Sequence, residues 1–224
     1  MGILYIIPTP IGNLKDITLR AIELLKEVDL ILAEDTRKSK ILLNHFEADT
    51  AVISHHKFNE HKTAERICKQ IESGKKVALI TDAGTPGISD PGFLLVRTCI
   101  SMNIAVETLP GPTAFIPALI NSGLPCDRFC FEGFLPQKKG RIGRIKKLEN
   151  EERSMVFYES PHRIIKLVDQ LTEIFGPERK ASISRELTKI HEETIRGSLS
   201  EIAVNLKTRQ PRGEYVLIVA GKNK

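Results

Sequence analysis

The sequence predicts an α/β protein of two domains, the first built on a mostly parallel sheet with helices on both faces and the second on a mixed sheet. Three observations carry this. Apolar runs of strand length alternate with segments of helical period; the alternation is regular through residue 121; and beyond residue 122 two strand-like runs follow each other with no helix between them. Regular alternation implies crossovers that cover both sheet faces, whereas directly consecutive strands pair antiparallel.

Strands are predicted first at Ile3–Ile7, Asp29–Ala33, Ala51–Ser54, Val77–Thr81 and Ala105–Leu109. Between them lie ITLRAIELLKEV, capped by Thr18 or Asp16, then KSKILLNHF, and NEHKTAERICKQIESG with Gly74 at its C-terminal end. Pro91 is expected as an early residue of the helix FLLVRTCISM, and Thr113–Asn121 as a further helix. SGLPCD, Ser122 to Asp127, breaks the pattern and sets the predicted boundary between domains 1–121 and 122–224. Strands follow at Phe129–Glu132, Ser154–Tyr158, Ala181–Arg185, Thr194–Ser198 and Tyr215–Ala220, with helices at Arg141–Glu151, His162–Phe175 and Leu199–Leu206.

With 41% apolar residues in 224, the chain has enough material for packed cores. No apolar run approaches the roughly 18 residues of a membrane span, and Gly2–Ile7 lacks the flank of a secretion signal, so a cytoplasmic protein is expected with no membrane partner. Only Cys126 and Cys130 of the four cysteines are close, and no second pair matches them. Buried or free thiols are therefore expected, and no metal site. The net charge of +5 is uneven: residues 1–124 hold 13 basic and 14 acidic side chains, the remainder 20 and 14. Its densest part is QKKGRIGRIKK, Gln137 to Lys147, with six Lys or Arg and no acid, a stripe able to bind phosphates or simply a solvated helix face.

Three loops follow predicted strands: PTPIGNL after the first, DAGTPGISDPG after the fourth and LPGPTA after the fifth. Ligands in open α/β sheets collect at such strand ends. Glycines let the main chain approach a ligand and prolines stiffen the loop, so recognition through backbone groups is expected. SGKKV precedes a strand instead of opening a helix, and no GxGxxG occurs; phosphate-cradling triphosphate and dinucleotide sites are thereby disfavoured. S-adenosylmethionine, a nucleoside with a cationic sulfur and no phosphate, fits better, since a cation favours carbonyl oxygens and acids.

Seven segments, PTPIGNLKDITLRA, LAEDTR, LITDAGTPGISDPG, LPGPTA, FEGFLP, YESPHR and GEYVLIVAG, occur in this order over essentially the whole chain. Together they resemble the small-subunit ribosomal RNA methyltransferase I family of the tetrapyrrole methylase superfamily. The resemblance implies two α/β domains with a cofactor cleft between them, a homodimer, S-adenosylmethionine as donor, and 2′-O-methylation of a cytidine in the decoding region of 16S ribosomal RNA. Carried over from the superfamily, the cofactor-binding positions are Pro10, Ile11, Gly84, Thr85, Pro86, Ile88, Thr113 and Ala114. Thr85 stands where many relatives carry an aspartate, and Asp82 is the nearby acid expected in its place.

A ribose hydroxyl must lose its proton during or after attack, so a general base is sought near neutral pH. Candidates at loop positions are Asp35, Glu159, His162 and Glu186; Asp35 and Glu159 could equally be caps or salt-bridge partners, and His162 merely an N-terminal helical residue. Arg37 and Arg163 could clamp substrate phosphate or simply pair with those acids. An RNA substrate, free or in the small ribosomal subunit, makes Lys138, Lys139, Arg141 and Arg144 candidate backbone contacts. With no tryptophan and 5% aromatics, a dedicated stacking platform is not expected. A small-molecule methylase, a non-catalytic RNA-binding module and a dinucleotide oxidoreductase remain the alternatives.

Overall fold

The computed structural model describes residues 2–222 and divides into two units, Met1–Thr113 and Ala114–Lys224. In the first, β1 (Ile3–Ile6), α1 (Leu19–Glu27), β2 (Leu30–Ala33), α2 (Thr36–His45), β3 (Val52–Ser54), α3 (Glu60–Glu72), β4 (Lys76–Leu79), α4 (Phe93–Ser101) and β5 (Ala105–Thr108) alternate as predicted. The five strands lie in the order β3-β2-β4-β1-β5, all parallel.

Side-chain alternation along these strands builds two cores. Leu4, Ile6, Leu30, Leu32, Val77 and Leu79 pack with Ile67, Ile71 and Leu95 of α3 and α4. The intervening Ile7, Ile31, Ala33, Ala78 and Ile80 pack with Ala21, Leu25 and Leu43 of α1 and α2. Strands buried on both faces read as continuous apolar runs, which is why LILA and KVALI carry no polar alternation. Thr18 Oγ1 caps α1 by accepting from Ala21 N at 3.1 Å, and Gly74 (φ +105°) ends α3. Pro91 lies outside its helix. Gly92 is the cap of α4, at φ +135°, and a Cβ there would stand 2.8 Å from Leu79 Cδ2, so only glycine fits.

The second unit comprises α5 (Phe115–Ser122), β6 (Phe129–Phe134), α6 (Arg141–Lys147), β7 (Ser154–Glu159), α7 (Ile164–Phe175), β8 (Lys180–Arg185), β9 (Glu193–Ser198), α8 (Leu199–Lys207) and β10 (Tyr215–Val219). Its sheet has the order β6-β7-β10-β8-β9, with β6 parallel to β7 and every other pair antiparallel. Met155, Phe157, Ile183 and Leu217 face the apolar sides of α6, α7 and α8. A Ser198–Glu201 capping box starts α8 directly from β9.

Two helices are shorter than predicted. Bonds from Leu148 N to Ile145 O and Glu149 N to Lys146 O tighten the end of α6, which stops at Lys147 and not Glu151. Ser160, Pro161 and His162 form a turn, and α7 begins at Ile164. The division after Thr113 also differs from the predicted break at Ser122–Asp127. α5 packs on β8, β9 and β10, and Arg196 Nε donates to Asn121 O at 2.6 Å, so the helix belongs with the second sheet.

Phe157 is fully buried at the centre of the second core. Phe157→Ala is expected to cost about 3–5 kcal/mol, measured as a fall in the urea midpoint at unchanged slope.

Candidate active site

The order β4-β1-β5 makes the carboxyl ends of these three strands neighbours, so the three Gly/Pro-rich loops leave the sheet side by side. The chain leaves β1 for α1 on one face and β4 for α4 on the other; ligands of open α/β sheets bind at such a switch point.

The loops are fastened to one another. Thr9 N donates to Gly84 O and Gly84 N to Thr9 O, both at 2.9 Å, an antiparallel bridge between two loops that leave parallel strands. Buried Thr9 also donates through Oγ1 to Thr81 O at 3.0 Å. Thr85 Oγ1 donates to Pro112 O at 3.0 Å, joining the β4 and β5 loops. Gly111 closes the set, because a Cβ there would lie 2.7 Å from Pro8 Cβ. The turning is concentrated in the β4 loop, where Gly84, Gly87, Ser89 and Gly92 all have positive φ. Gly84 sits at φ +85°, where a Cβ would be in ordinary contact with Ile11 and Pro112, so it is the left-handed turn that calls for glycine here.

The predicted cofactor residues Pro10, Ile11, Asp82, Gly84, Thr85, Pro86, Ile88 and Thr113 lie on these three loops, and Ala114 is the cap of α5 in the second unit. Asp82 is heavily engaged. Lys38 Nζ donates to its Oδ2 at 2.6 Å and Asp35 N to its Oδ1 at 3.2 Å, tying the β4 loop to the start of α2. Thr81 Oγ1 reaches Glu34 Oε2 at 3.2 Å on the same side. The sequence reading gave Lys38 and Thr9 no role. Lys38 directly follows LAEDTR, but its partner is 44 residues away.

Four residues were candidates for the base. Asp35 caps α2 through Arg37 N and grips the Arg37 guanidinium at 2.7 and 3.0 Å. These bonds hold its carboxyl far below the usual carboxylate range. A depressed folded value means that the pairing persists above the unfolded value and is lost only as pH falls through the folded one, so Asp35 is an anion with little affinity for a proton at neutral pH. Glu159 is fully buried and accepts from Arg141 Nη2 at 3.1 Å, Arg163 Nη2 at 2.8 Å and Ser160 N at 2.9 Å. Glu186 pairs with Lys189 at 2.9 Å, in left-handed backbone at φ +49° and against Gly213. His162 is exposed on the turn before α7 and, among the described residues, has no hydrogen bond or ion pair.

The basic residues also separate. Arg141 is not a surface contact: it is 4% exposed, and its other two nitrogens donate to Gln170 Oε1 at 2.8 Å and Pro136 O at 3.4 Å. Burying a guanidinium is costly unless its nitrogens find partners of this kind. Arg144 forks onto Glu132 with bonds of 2.7 and 2.8 Å. Among the described residues Lys138 and Lys139 are exposed without ion pairs, Arg37 is 89% exposed beyond its Asp35 contact, and Arg163 is partly exposed beside Glu159. Among the described residues no three His, Cys, Asp or Glu side chains gather as metal ligands.

Residues 3–203 match the family model of tetrapyrrole (corrin/porphyrin) methylases. Solved structures share the fold: uroporphyrin-III C-methyltransferase of Thermus thermophilus, complexed with S-adenosyl homocysteine, has a TM-score of 0.69 at 18% identity, covering 98% of this chain and 97% of its own. Diphthine synthase has a TM-score of 0.76 at 13% identity, over 99% and 90%. Fold and loops thus define a methylase of the tetrapyrrole methylase class. Sequence relatives narrow this. Ribosomal RNA small subunit methyltransferase I of Synechocystis sp. is 48% identical over 99% of this chain and 80% of the relative. The enzyme of that name from Escherichia coli O157:H7 is 49% identical over 98% and 78%, and that from Thermotoga maritima 45% identical over 99% and 100%. The chain belongs to the ribosomal RNA small subunit methyltransferase I family.

Two outcomes follow from the geometry. Gly111→Ala is expected to cost about 1–3 kcal/mol in urea unfolding, because the new methyl collides with Pro8 and pushes two loops apart. Glu159→Gln is expected to cost about 3–5 kcal/mol in the same measurement, since it removes the counter-charge of buried Arg141.

Proposed function

We propose that this protein transfers a methyl group from S-adenosylmethionine to the ribose 2′-oxygen of a cytidine in the decoding region of 16S ribosomal RNA. The observation that carries the reading is the mutual fastening of three Gly/Pro loops at the switch point of a parallel sheet. It supports a nucleoside ligand held by main-chain groups, since these loops offer carbonyls and amides and no phosphate cradle. When bound, the donor supplies a methyl carbon already activated by a sulfonium.

The protein's own task is alignment, water exclusion and proton handling. The loops around Pro10, Ile11, Gly84, Thr85, Pro86, Ile88 and Thr113 are the proposed donor-binding surface, and Ala114, next in sequence to Thr113, is a further candidate contact. Asp82 positions the β4 loop through Lys38 and Asp35 N. His162 is assigned as proton acceptor, because Asp35, Glu159 and Glu186 are committed to cations and His162 is exposed and unengaged. Lys138 and Lys139, exposed at the surface, supply cations for RNA phosphates, with the exposed part of Arg37 and the partly exposed Arg163 as further candidates. A substrate of this kind places the protein with the ribosome in the cytoplasm. A homodimer is the proposed assembly; Phe93 and Ile100, 67% and 62% exposed on one stripe of α4, support a copy-to-copy contact.

The direct test is incubation with labelled S-adenosylmethionine and small ribosomal subunits lacking the modification. Label mapped to a cytidine 2′-oxygen supports the reading, and label on the base or none at all refutes it. His162→Ala is expected to lower kcat by roughly 10²–10⁴-fold with donor affinity unchanged in calorimetry. Gly84→Val is expected to weaken donor binding, because a branched side chain would enter the main-chain cradle in a backbone that L residues rarely adopt.

A further inference from the structure

We propose that the turn between β3 and α3, with Phe58 at its tip and Lys57 over the ring, is a docking point for a nucleotide of the substrate RNA outside the reacting one. This rests on the RNA reading above and adds a contact to it. The turn leaves the carboxyl edge of the first sheet, the edge whose other half carries the three fastened loops. His55 N donates to Ala33 O at 2.8 Å, which keeps the turn alongside β2 and the start of α2.

Phe58 is 82% exposed, yet the backbone that displays it is tied down. His56 N donates to Asn59 Oδ1 at 2.8 Å, Asn59 Nδ2 to Ser54 O at 3.1 Å and Phe58 N to His56 Nδ1 at 3.3 Å. Underneath, buried His55 joins the turn to α3 through Nδ1 and Thr63 Oγ1, 3.0 Å apart. An ordered turn that holds a phenyl ring in water presents a surface for something to stack on. Lys57 Nζ stands 4.9 Å from the ring centroid. A ring with an ammonium beside it meets two demands that one nucleotide makes together, a flat face for the base and a cation for the phosphate.

Local charge favours a polyanion over a second copy of a chain that is itself +5. Among the described residues Lys40, Lys57 and Lys62 are exposed without an ion pair, Arg37 and Lys38 are exposed but held by Asp35 and Asp82, and Glu60 is the one acid within residues 55–62. The basic run at 137–147 contains no aromatic residue, so stacking and charge coincide at this turn in a way that they do not there.

The test measures binding of the full chain to unmodified small ribosomal subunits across a salt series. Phe58→Ala is expected to weaken binding roughly ten- to a hundredfold with the salt slope unchanged, and Phe58→Trp to keep most of it. Lys57→Gln is expected to reduce the salt slope by about one. Calorimetry with S-adenosylmethionine and the thermal midpoint serve as controls and are expected to be the same for all three variants. Equal subunit affinity of wild type and Phe58→Ala at every salt concentration overturns the proposal and leaves the proposed function standing. So does a change confined to self-association in sedimentation, which would make Phe58 a contact between copies. Failure of the wild-type chain to bind subunits at all overturns both readings.

Discussion

Two hydrogen bonds between Thr9 and Gly84 decide the shape of the candidate site. β1 and β4 are parallel neighbours, so their chains leave the sheet in the same direction and would ordinarily diverge toward helices on opposite faces. An antiparallel bridge forces one loop to turn back on the other before they part. Only a residue at ease with φ +85° can complete that turn beside Ile11, and Gly84 is that residue. Thr85 then reaches Pro112, and Gly111 settles on Pro8, so the third loop takes its place from the first two. Prolines contribute by what they lack: with no N–H they cannot join a ladder, and the backbone around them stays out of the sheet.

In the second unit one carboxylate has the corresponding role. Glu159 ends β7 with both carboxylate oxygens engaged, by Arg141, Arg163 and Ser160 N. YESPHR therefore contains a structural ion cluster beside an unengaged histidine, and the two are indistinguishable as letters. The positive surplus of this half is sorted in the same way. Arg144, Arg153, Arg185 and Arg209 are matched to Glu132, Glu151 and Glu193, so much of the charge that composition assigns to a partner is spent inside the fold. What remains for RNA is a smaller set of exposed lysines, and a patch on the other unit that composition had placed at near neutrality.

Much of the fold was legible because burial leaves a period. Strands such as LILA and VLIV are apolar on both faces, and α3 and α7 carry their apolar residues at helical spacing, so the elements and their order could be read within one or two residues at most ends. Errors arose where the apolar pattern runs past a tightened turn, at Leu148, or where proline is compatible with both a helix start and a turn, at Pro91 and Pro161. α5 was assigned to the wrong side of the boundary because a helix shows which face is apolar and not which sheet will cover it.

The chain's local chemistry by itself determined the three glycine-proline loops, the parallel alternation and the basic bias of the second half, since each depends on residue type and short spacing. Tertiary structure alone decided that β4, β1 and β5 would be neighbours, that Asp82 would be held by Lys38 and Glu159 by Arg141, and that Arg141 would be buried. The reason is range. A hydrogen bond or ion pair acts over about 3 Å in space but here joins residues 18 to 47 apart in sequence, and no local pattern encodes which acid a given cation will meet.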